Sequence, residues 1–544
     1  MNSDPITTRE NPCNDRSPQR LRSSYDFIVC GAGTAGSVIA ARLAGQHDAT
    51  VLLLEAGGDD TGENISEPAR WPANLGSRHD WAFESVPNPN LNGRRLALNV
   101  GKGLGGGSSI NVMVWARGHK SDWDHFASES GDPAWGYESV LAYYRRIEDW
   151  HGRPDALRRG VGGPVHVAPA QAPQPLALAT VEAAGLVGVP RFDSPNGEMM
   201  EGPGGAAIAD LRIRGGKRES VYRSYVYPRL RQTNLTVTTD AMVTRVLFDG
   251  KRATGVEVLI DGRPRRIHAR CEVVLSMGAI HTPKVLLQSG IGPQEALHAH
   301  GIEVVQDLPG VGHNYQDHIA FGCTWQYTEP RAVGAGGCES TLYWKSDSRL
   351  EAPDLLHCQL EFPVPSPPEV GVPAPAHGWT MFAGLARPRS RGHLRLSDPS
   401  HQAPVLIDPN VLSEPEDMAA ALATIELCRE VGNHPALGSL VKREVVPGHG
   451  DRRLMERFIR ASAVTFWHQS GTAKMGRDAM SVVDAELRVY GIDNLRVADA
   501  SIMPRITVGN LMAPCVVIGE RAADMILQAH GGSRLQAPPI EPAA

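Results

Sequence analysis

The chain of 544 residues has room for about two to four domains. Its 42% hydrophobic and 21% charged residues describe a globular protein with a large core. The net charge of −6, with acids and bases interspersed, excludes a nucleic-acid-binding protein of the usual basic kind. The eight cysteines are scattered without a CxxC pair, which argues against a zinc site or a disulfide framework and for a reducing, cytoplasmic compartment.

Residues 1–24 are polar and lack an apolar signal core, so they read as a disordered arm without a secretory signal. No apolar run reaches the ~18 residues of a transmembrane helix. The best stretch, LALATVEAAGLVGV, is short, carries Glu182 and reads as a packed amphipathic helix. Phe27-Ile28-Val29-Cys30 is a short continuous apolar run, as in a buried parallel strand. GAGTAG follows, then SVIAARLAG with helical spacing as far as Gly45, then TVLLLEAGG as a second strand ending at Glu55. In this frame Gly31 permits a tight turn, Gly33 lets backbone approach a pyrophosphate, and Gly36 allows close helix–strand packing. Helix N-terminal N–H groups face the phosphates. Glu55 is spaced to accept from ribose hydroxyls and repels a 2′-phosphate, against NADP. The motif alone does not separate NAD from FAD.

Gly101–Gly118 holds six glycines in 18 residues, so its main chain can lie flat against a ligand. Ser108, Ser109 and Asn111 add short polar groups there. A further strand–turn–helix unit runs through Gly278–Gly292: a strand at Val273–Ser276, then a helix with Pro283 in its first turn.

With PGVGHNYQDH, FWHQSGTAKMG, LRVADASIMP and GNLMAPCVVIGERAADMI, these stretches resemble the glucose–methanol–choline (GMC) oxidoreductases over nearly the whole chain. The resemblance implies an α/β fold: a Rossmann-like FAD domain plus a substrate domain built on an antiparallel sheet with flanking helices. The FAD domain is expected from residues 25–161, 215–312 and 465–531. The substrate domain is expected from 162–214 and 313–464, and 532–544 form a tail. The Pro-rich stretch Phe362–Gly378 is a loop, over the entrance or on the surface without a role.

The same resemblance implies oxidation of an alcohol, with FAD taking the hydride at N5 and a histidine as base. That histidine is His468, in the pattern His-x-x-Gly-Thr-x-x-Met-Gly. Trp467 beside it is a pocket wall or simple core. Implied cofactor contacts are Gly31, Gly33, Thr34, Ala35, Gly36, Glu55, Ala56, Trp81, Gly101, Leu104, Gly106, Ser108, Ser109, Asn111 and Val114. Val243 follows as an adenine contact through its main chain, then Ser276, Gly278, Trp467, Asp499, Ala500, Asn510 and Met512.

The family ending Asn-x-Asn-Ala-Pro here reads Asn510-Leu511-Met512-Ala513-Pro514, and a thioether is no hydrogen-bond donor. Three readings stay open for the second catalytic position. His468 acts alone with a donor such as Gln469 or Asn510; the alignment is shifted and Asn510 itself serves; or Met512 packs on an unusual substrate or serves an unusual reaction. Ile110 stands where choline-type members attach FAD to histidine, so the FAD is expected to be non-covalent. Ile319 and Ala320 follow QDH where a carboxylate holds choline, so choline is disfavoured.

His313 and His318 match no metal signature, and no metal is expected. RGGKRES, Arg214–Ser220, is a solvated hairpin or a contact to substrate or phosphates. The electron acceptor stays open between O2 and a quinone- or dye-like compound. The alternative function is that of the family's non-redox members, hydroxynitrile lyase or fatty-acid photodecarboxylase.

Overall fold

The computed structural model describes residues 21–531 except His47 and Ala335. Most of the expected arm and all of the 532–544 tail lie outside the described residues; within the arm, Ser24 already begins a strand.

The apolar run at 27–30 extends to a strand, Ser24–Cys30, at the centre of a seven-stranded sheet. Its parallel neighbours are Val51–Leu54 and the second half of Arg263–Leu275. Leu235–Thr238 adds parallel to Val51–Leu54, and Leu495–Val497 adds parallel to residues 273–275. The first half of Arg263–Leu275 continues antiparallel into Arg252–Ile260 and Ala241–Asp249. Ile28, Val29, Cys30, Val51, Leu52 and Leu53 are wholly buried. Burial on both faces explains why these strands read as continuous apolar runs and not as alternation. The helices Thr34–Ala44 and Met512–Ala529 press together: a Cβ on Gly519 would come within 2.8 Å of the Ala35 carbonyl.

A second seven-stranded sheet is antiparallel. Its order is Val441–Val446, Ile319–Tyr327, Gly378–Leu385, Leu355–Leu360, Cys338–Trp344 and Gly205–Ile208. The short strand Val464–Thr465 also pairs with Ile319–Tyr327 and leads straight into the FWHQSG stretch. Helix Pro415–Gly432 covers one face, with Gly432 against the Trp325 indole, which itself stacks on Trp379 at 4.5 Å. The whole is a mixed α/β fold.

Several boundaries differ from the sequence reading. The first helix starts at Thr34, directly on the glycine turn, and the second strand ends at Leu54, before Glu55. The helix expected to start near Pro283 begins at Gly278, so Pro283 lies in its interior. Proline has no N–H for the Ala279 carbonyl. Thr472 Oγ1 donates to that carbonyl instead, at 2.6 Å. The RGGKRES hairpin, Ile213–Arg214 with Lys217–Arg218, is only partly solvated, because the Arg218 side chain is buried. Among the described residues, no helix is long and apolar enough to cross a membrane.

Candidate active site and cofactor cleft

A cleft of about 880 Å³ opens where the parallel strands Ser24–Cys30 and Val51–Leu54 end. In open parallel sheets this end is where nucleotides bind. Gly31 turns at φ 98°, and a Cβ there would meet the Ser276 carbonyl at 2.4 Å. A Cβ on Gly36 would lie 1.9 Å from the Gly31 carbonyl, so Gly36 serves helix packing. Gly33 differs: nothing lies within 4 Å of a Cβ built there. The helix behind it has no side-chain cap, so its first N–H groups are left for a ligand. An open cradle beside an uncapped helix start fits a dinucleotide pyrophosphate.

Glu55 knots this cleft together. Its buried carboxylate accepts from the N–H groups of Ala32 at 2.9 Å, Gly57 at 2.9 Å and Gly103 at 3.0 Å. Burial raises its pKa above the ordinary carboxylate value, opposed by those N–H groups and by Lys102. Asp499 does the same at the other wall, accepting from Gly278 N–H at 2.9 Å, Thr282 Oγ1 at 2.6 Å and Ser501 N–H at 2.8 Å. Burial raises its pKa too.

A second cavity, about 1150 Å³ with its open mouth, joins the first through Thr34, Val100, Gly101, Gly107, Ala500 and Cys515. His468, Asn510 and Met512 all line it. Asn510 Nδ2 lies 3.2 Å from His468 Nε2, and His468 Nδ1 lies 2.9 Å from His318 Nδ1. The network assigns the protons. An amide N–H can only donate, so Nε2 of His468 is the acceptor and Nδ1 carries the hydrogen, donated to Nδ1 of His318. Burial pushes the His318 pKa down to about 3 and, with His318 beside it, holds His468 well below its ordinary 6.5. His468 is therefore a neutral imidazole whose lone pair faces the cavity side occupied by Asn510.

The backbone fixes this ring from behind. His468 N–H donates to Asp317 Oδ1 at 2.9 Å, while Asp317 Oδ2 accepts from Thr465 Oγ1. Burial lifts the Asp317 pKa to about 7. Trp467 adopts φ 62°, a strained conformation for an indole-bearing residue. It is held by its N–H to Thr465 Oγ1 at 2.7 Å and its indole N–H to Asn99 Oδ1 at 3.0 Å. Phe466 stacks on the His468 ring at 5.7 Å.

Of the residues expected to contact a cofactor, all but Gly36, Leu104 and Ser109 line one of the two cavities. The Ser109 hydroxyl donates to the Leu104 carbonyl and that of Ser108 to the Gly105 carbonyl, both at 2.7 Å. Both hydroxyls shape the glycine loop; Ser108 also lines the second cavity, whereas Ser109 lines neither. Asn111 lines the cavity with its Oδ1 taken by Arg212 at 3.1 Å and Arg218 at 3.0 Å. Val243, on the edge of the Ala241–Asp249 strand, lines the cofactor cleft.

Sequence reasoning missed His281, which lines the cleft 4.1 Å from Trp81 with its pKa pushed to about 3 by burial. It also missed Trp71, Phe382 and Asn99, which come from distant segments and carry no local signal. Met512 starts the last helix and lines the cavity, but it is Asn510 that meets the imidazole. Among the described residues the one convergent group of potential metal ligands is Asp149, His151 and His166, which do not line these cavities. Neither His313 nor His318 belongs to it.

Sequence models of GMC oxidoreductase match residues 25–320 and 388–519. The chain belongs to the GMC oxidoreductase family. An oxygen-dependent choline dehydrogenase of Pseudomonas savastanoi pv. phaseolicola is 38% identical over 542 residues, covering 93% of this chain and 94% of that protein. The crystal structure of pyridoxine 4-oxidase from Mesorbium loti superposes with a TM-score of 0.88 at 33% identity, covering 94% of this chain and 100% of that one. Formate oxidase of Aspergillus oryzae RIB40 gives 0.84 at 25%, covering 94% and 99%. This GMC oxidoreductase is an FAD flavoenzyme, and the glycine cradle described above fits that cofactor.

Proposed function

We propose that this GMC oxidoreductase oxidises an alcohol to an aldehyde or ketone with His468 as the general base and Asn510 as its partner. The enzyme class, oxidation of a CH–OH donor with FAD, follows from the family. The observation that carries the residue roles is the hydrogen-bonded series Asn510–His468–His318, whose first two members line the second cavity. The substrate hydroxyl takes the place of the Asn510 N–H at Nε2 of His468 and donates its proton to the lone pair so freed. Asn510 Nδ2 then turns its N–H to the oxygen that is losing the proton. FAD, when bound, supplies the hydride acceptor for the carbinol hydrogen. Asp317 keeps the imidazole in place through the His468 N–H, and the hydrophobic lining excludes water from the proton transfer.

The cofactor side is read in the same way. Gly31, Gly33, Thr34, Ala35 and Gly278 would hold the pyrophosphate by backbone, Glu55 a ribose with its remaining lone pairs, and Val243 the adenine. Ile110 lines the cavity and offers no nucleophile, so the FAD is non-covalent. We assign residues 25–161, 215–312 and 465–531 to FAD and residues 162–214 and 313–464 to substrate. The cytoplasm is the proposed location, consistent with seven free cysteines among the described residues.

The relatives named above are dehydrogenases and oxidases, and no observation favours the lyase or photodecarboxylase reading. Choline, which the bacterial relative's name carries, meets no carboxylate in this cavity. Anaerobic bleaching of the bound flavin by an alcohol, with one carbonyl product per flavin, tests the reading; no bleaching by any alcohol overturns it. Stoichiometric peroxide in air would mark O2 as the acceptor, and turnover only with a quinone or dye would mark a dehydrogenase.

A further inference from the structure

Resting on the alcohol-oxidising chemistry proposed above, we infer that the substrate is an uncharged alcohol with an apolar, flat body, and that cationic alcohols are rejected. Three independent features of the cavity carry this.

The first is its lining. Trp71, Leu360, Phe382, Phe466, Trp467 and Met512 supply the walls, and no Asp, Glu, Lys or Arg lines it. Its polar lining is uncharged: Asn99 is held by the Trp467 indole and Asn111 by two arginines, while His468 and Asn510 face one another. A ligand bound there is oriented by one hydroxyl and must hide the rest of its surface among hydrocarbon. A fixed charge buried without a counter-ion is costly.

The second is how the aromatic rings are arranged. Phe382 stacks on Trp467 at 5.9 Å with 19° between planes, and Phe466 stacks on His468 at 5.7 Å with 4°. Phe382 meets Phe466 edge-on at 4.7 Å, and Trp71 meets Trp467 edge-on at 6.1 Å. The rings spend faces on one another and form a continuous wall. A cage for a quaternary ammonium needs several free faces turned to one point. A wall of this kind offers offset stacking to a planar substrate instead.

The third is the charge behind the wall. Asn111, which lines the cavity, is bonded by the buried guanidiniums of Arg212 and Arg218. Neither arginine forms an ion pair among the described residues: burial lowers the Arg212 pKa to about 10, against the pull of Glu219, and burial followed by the repulsion of Arg212 lowers that of Arg218. The field reaching the cavity from this side is positive, which opposes a cation and leaves a neutral molecule untouched.

The test compares three alcohols on the wild-type holoenzyme by anaerobic flavin reduction. They are 4-methoxybenzyl alcohol, choline, and 3,3-dimethylbutan-1-ol, which has choline's shape without its charge. Because shape is matched in the last two, their ratio reads the effect of charge alone. The expected result is that 3,3-dimethylbutan-1-ol exceeds choline by about 100-fold or more in kred/Kd, the penalty of an uncompensated cation partly offset by the rings. The aromatic alcohol should exceed both. Choline equal to or faster than its neutral twin would overturn the inference while leaving the alcohol chemistry standing. Bleaching by none of the three, nor by any other alcohol, would overturn both.

Discussion

Replacing Asn510 by alanine removes the one amide that meets His468 Nε2, at 3.2 Å, and leaves the backbone of the last helix unchanged. In the proposed reaction this amide N–H is a hydrogen bond to an oxygen that gains negative charge. Hydrogen bonds to charged groups contribute about 1.5–3 kcal/mol. At about 1.36 kcal/mol per decade, the variant should reduce flavin roughly 10- to 150-fold more slowly. Met512→Ala, at the start of the last helix, is the matched control: it removes only an apolar wall, so it should raise Kd for the alcohol and change the limiting rate by no more than about 3-fold. Stopped-flow absorbance near the flavin band, under argon and over a range of alcohol concentrations, separates the two effects. FAD content measured on the same samples guards against a loss of cofactor. If Asn510→Ala reduces flavin at the wild-type rate while Met512→Ala does not, the assignment of the second position to Asn510 is refuted.

Other outcomes follow from the same geometry. His468 works as a base only when neutral, so its depressed pKa keeps the reaction running as pH falls and places the acid limb of kred/Kd below 6.5; His318→Ala, which removes the neighbour that helps depress it, should move that limb upward, and a wild-type limb at or above 6.5 would contradict this. Gly33→Val should fold normally by far-UV circular dichroism yet purify colourless, because its side chain enters only the open cradle, whereas Gly36→Ala should unfold at lower temperature through its 1.9 Å clash with the Gly31 carbonyl. Yellow Gly33→Val protein would count against the cradle. Acid precipitation of the wild type should leave a colourless pellet and yellow supernatant, and a yellow pellet would mean a covalent flavin despite Ile110.

The nucleotide frame was legible because it is local. A buried parallel strand needs an unbroken apolar run, the turn after it needs Gly31, and the acid that ties the loop follows one strand later at Glu55. His468 was legible only through the resemblance, since a single histidine between Trp467 and a Ser-Gly pair carries no periodic signal. What surrounds it was not legible. Trp71, Leu360 and Phe382 reach the cavity from separate segments, two of them on the antiparallel sheet, and their convergence is a product of strand order. Glu55 has a role that spacing alone did not show, because its carboxylate holds the N–H groups of Ala32, Gly57 and Gly103, from three separate segments. Pro283 was misplaced because its lost hydrogen bond is made good by Thr472, from a distant segment that no local rule anticipates. The Ser109 hydroxyl turns away from both cavities for a related reason, as a tight glycine loop consumes its own short polar side chain.

The claim at the centre of this account is that His468 takes the substrate proton. The most direct measurement is the limiting rate of anaerobic flavin reduction by a good alcohol substrate in His468→Ala, set against wild type at equal FAD occupancy. A positioned base contributes about 10²–10⁴-fold, so the variant should stay yellow, bind the alcohol and reduce its flavin at least about 100-fold more slowly. A rate within a few-fold of wild type would contradict the account.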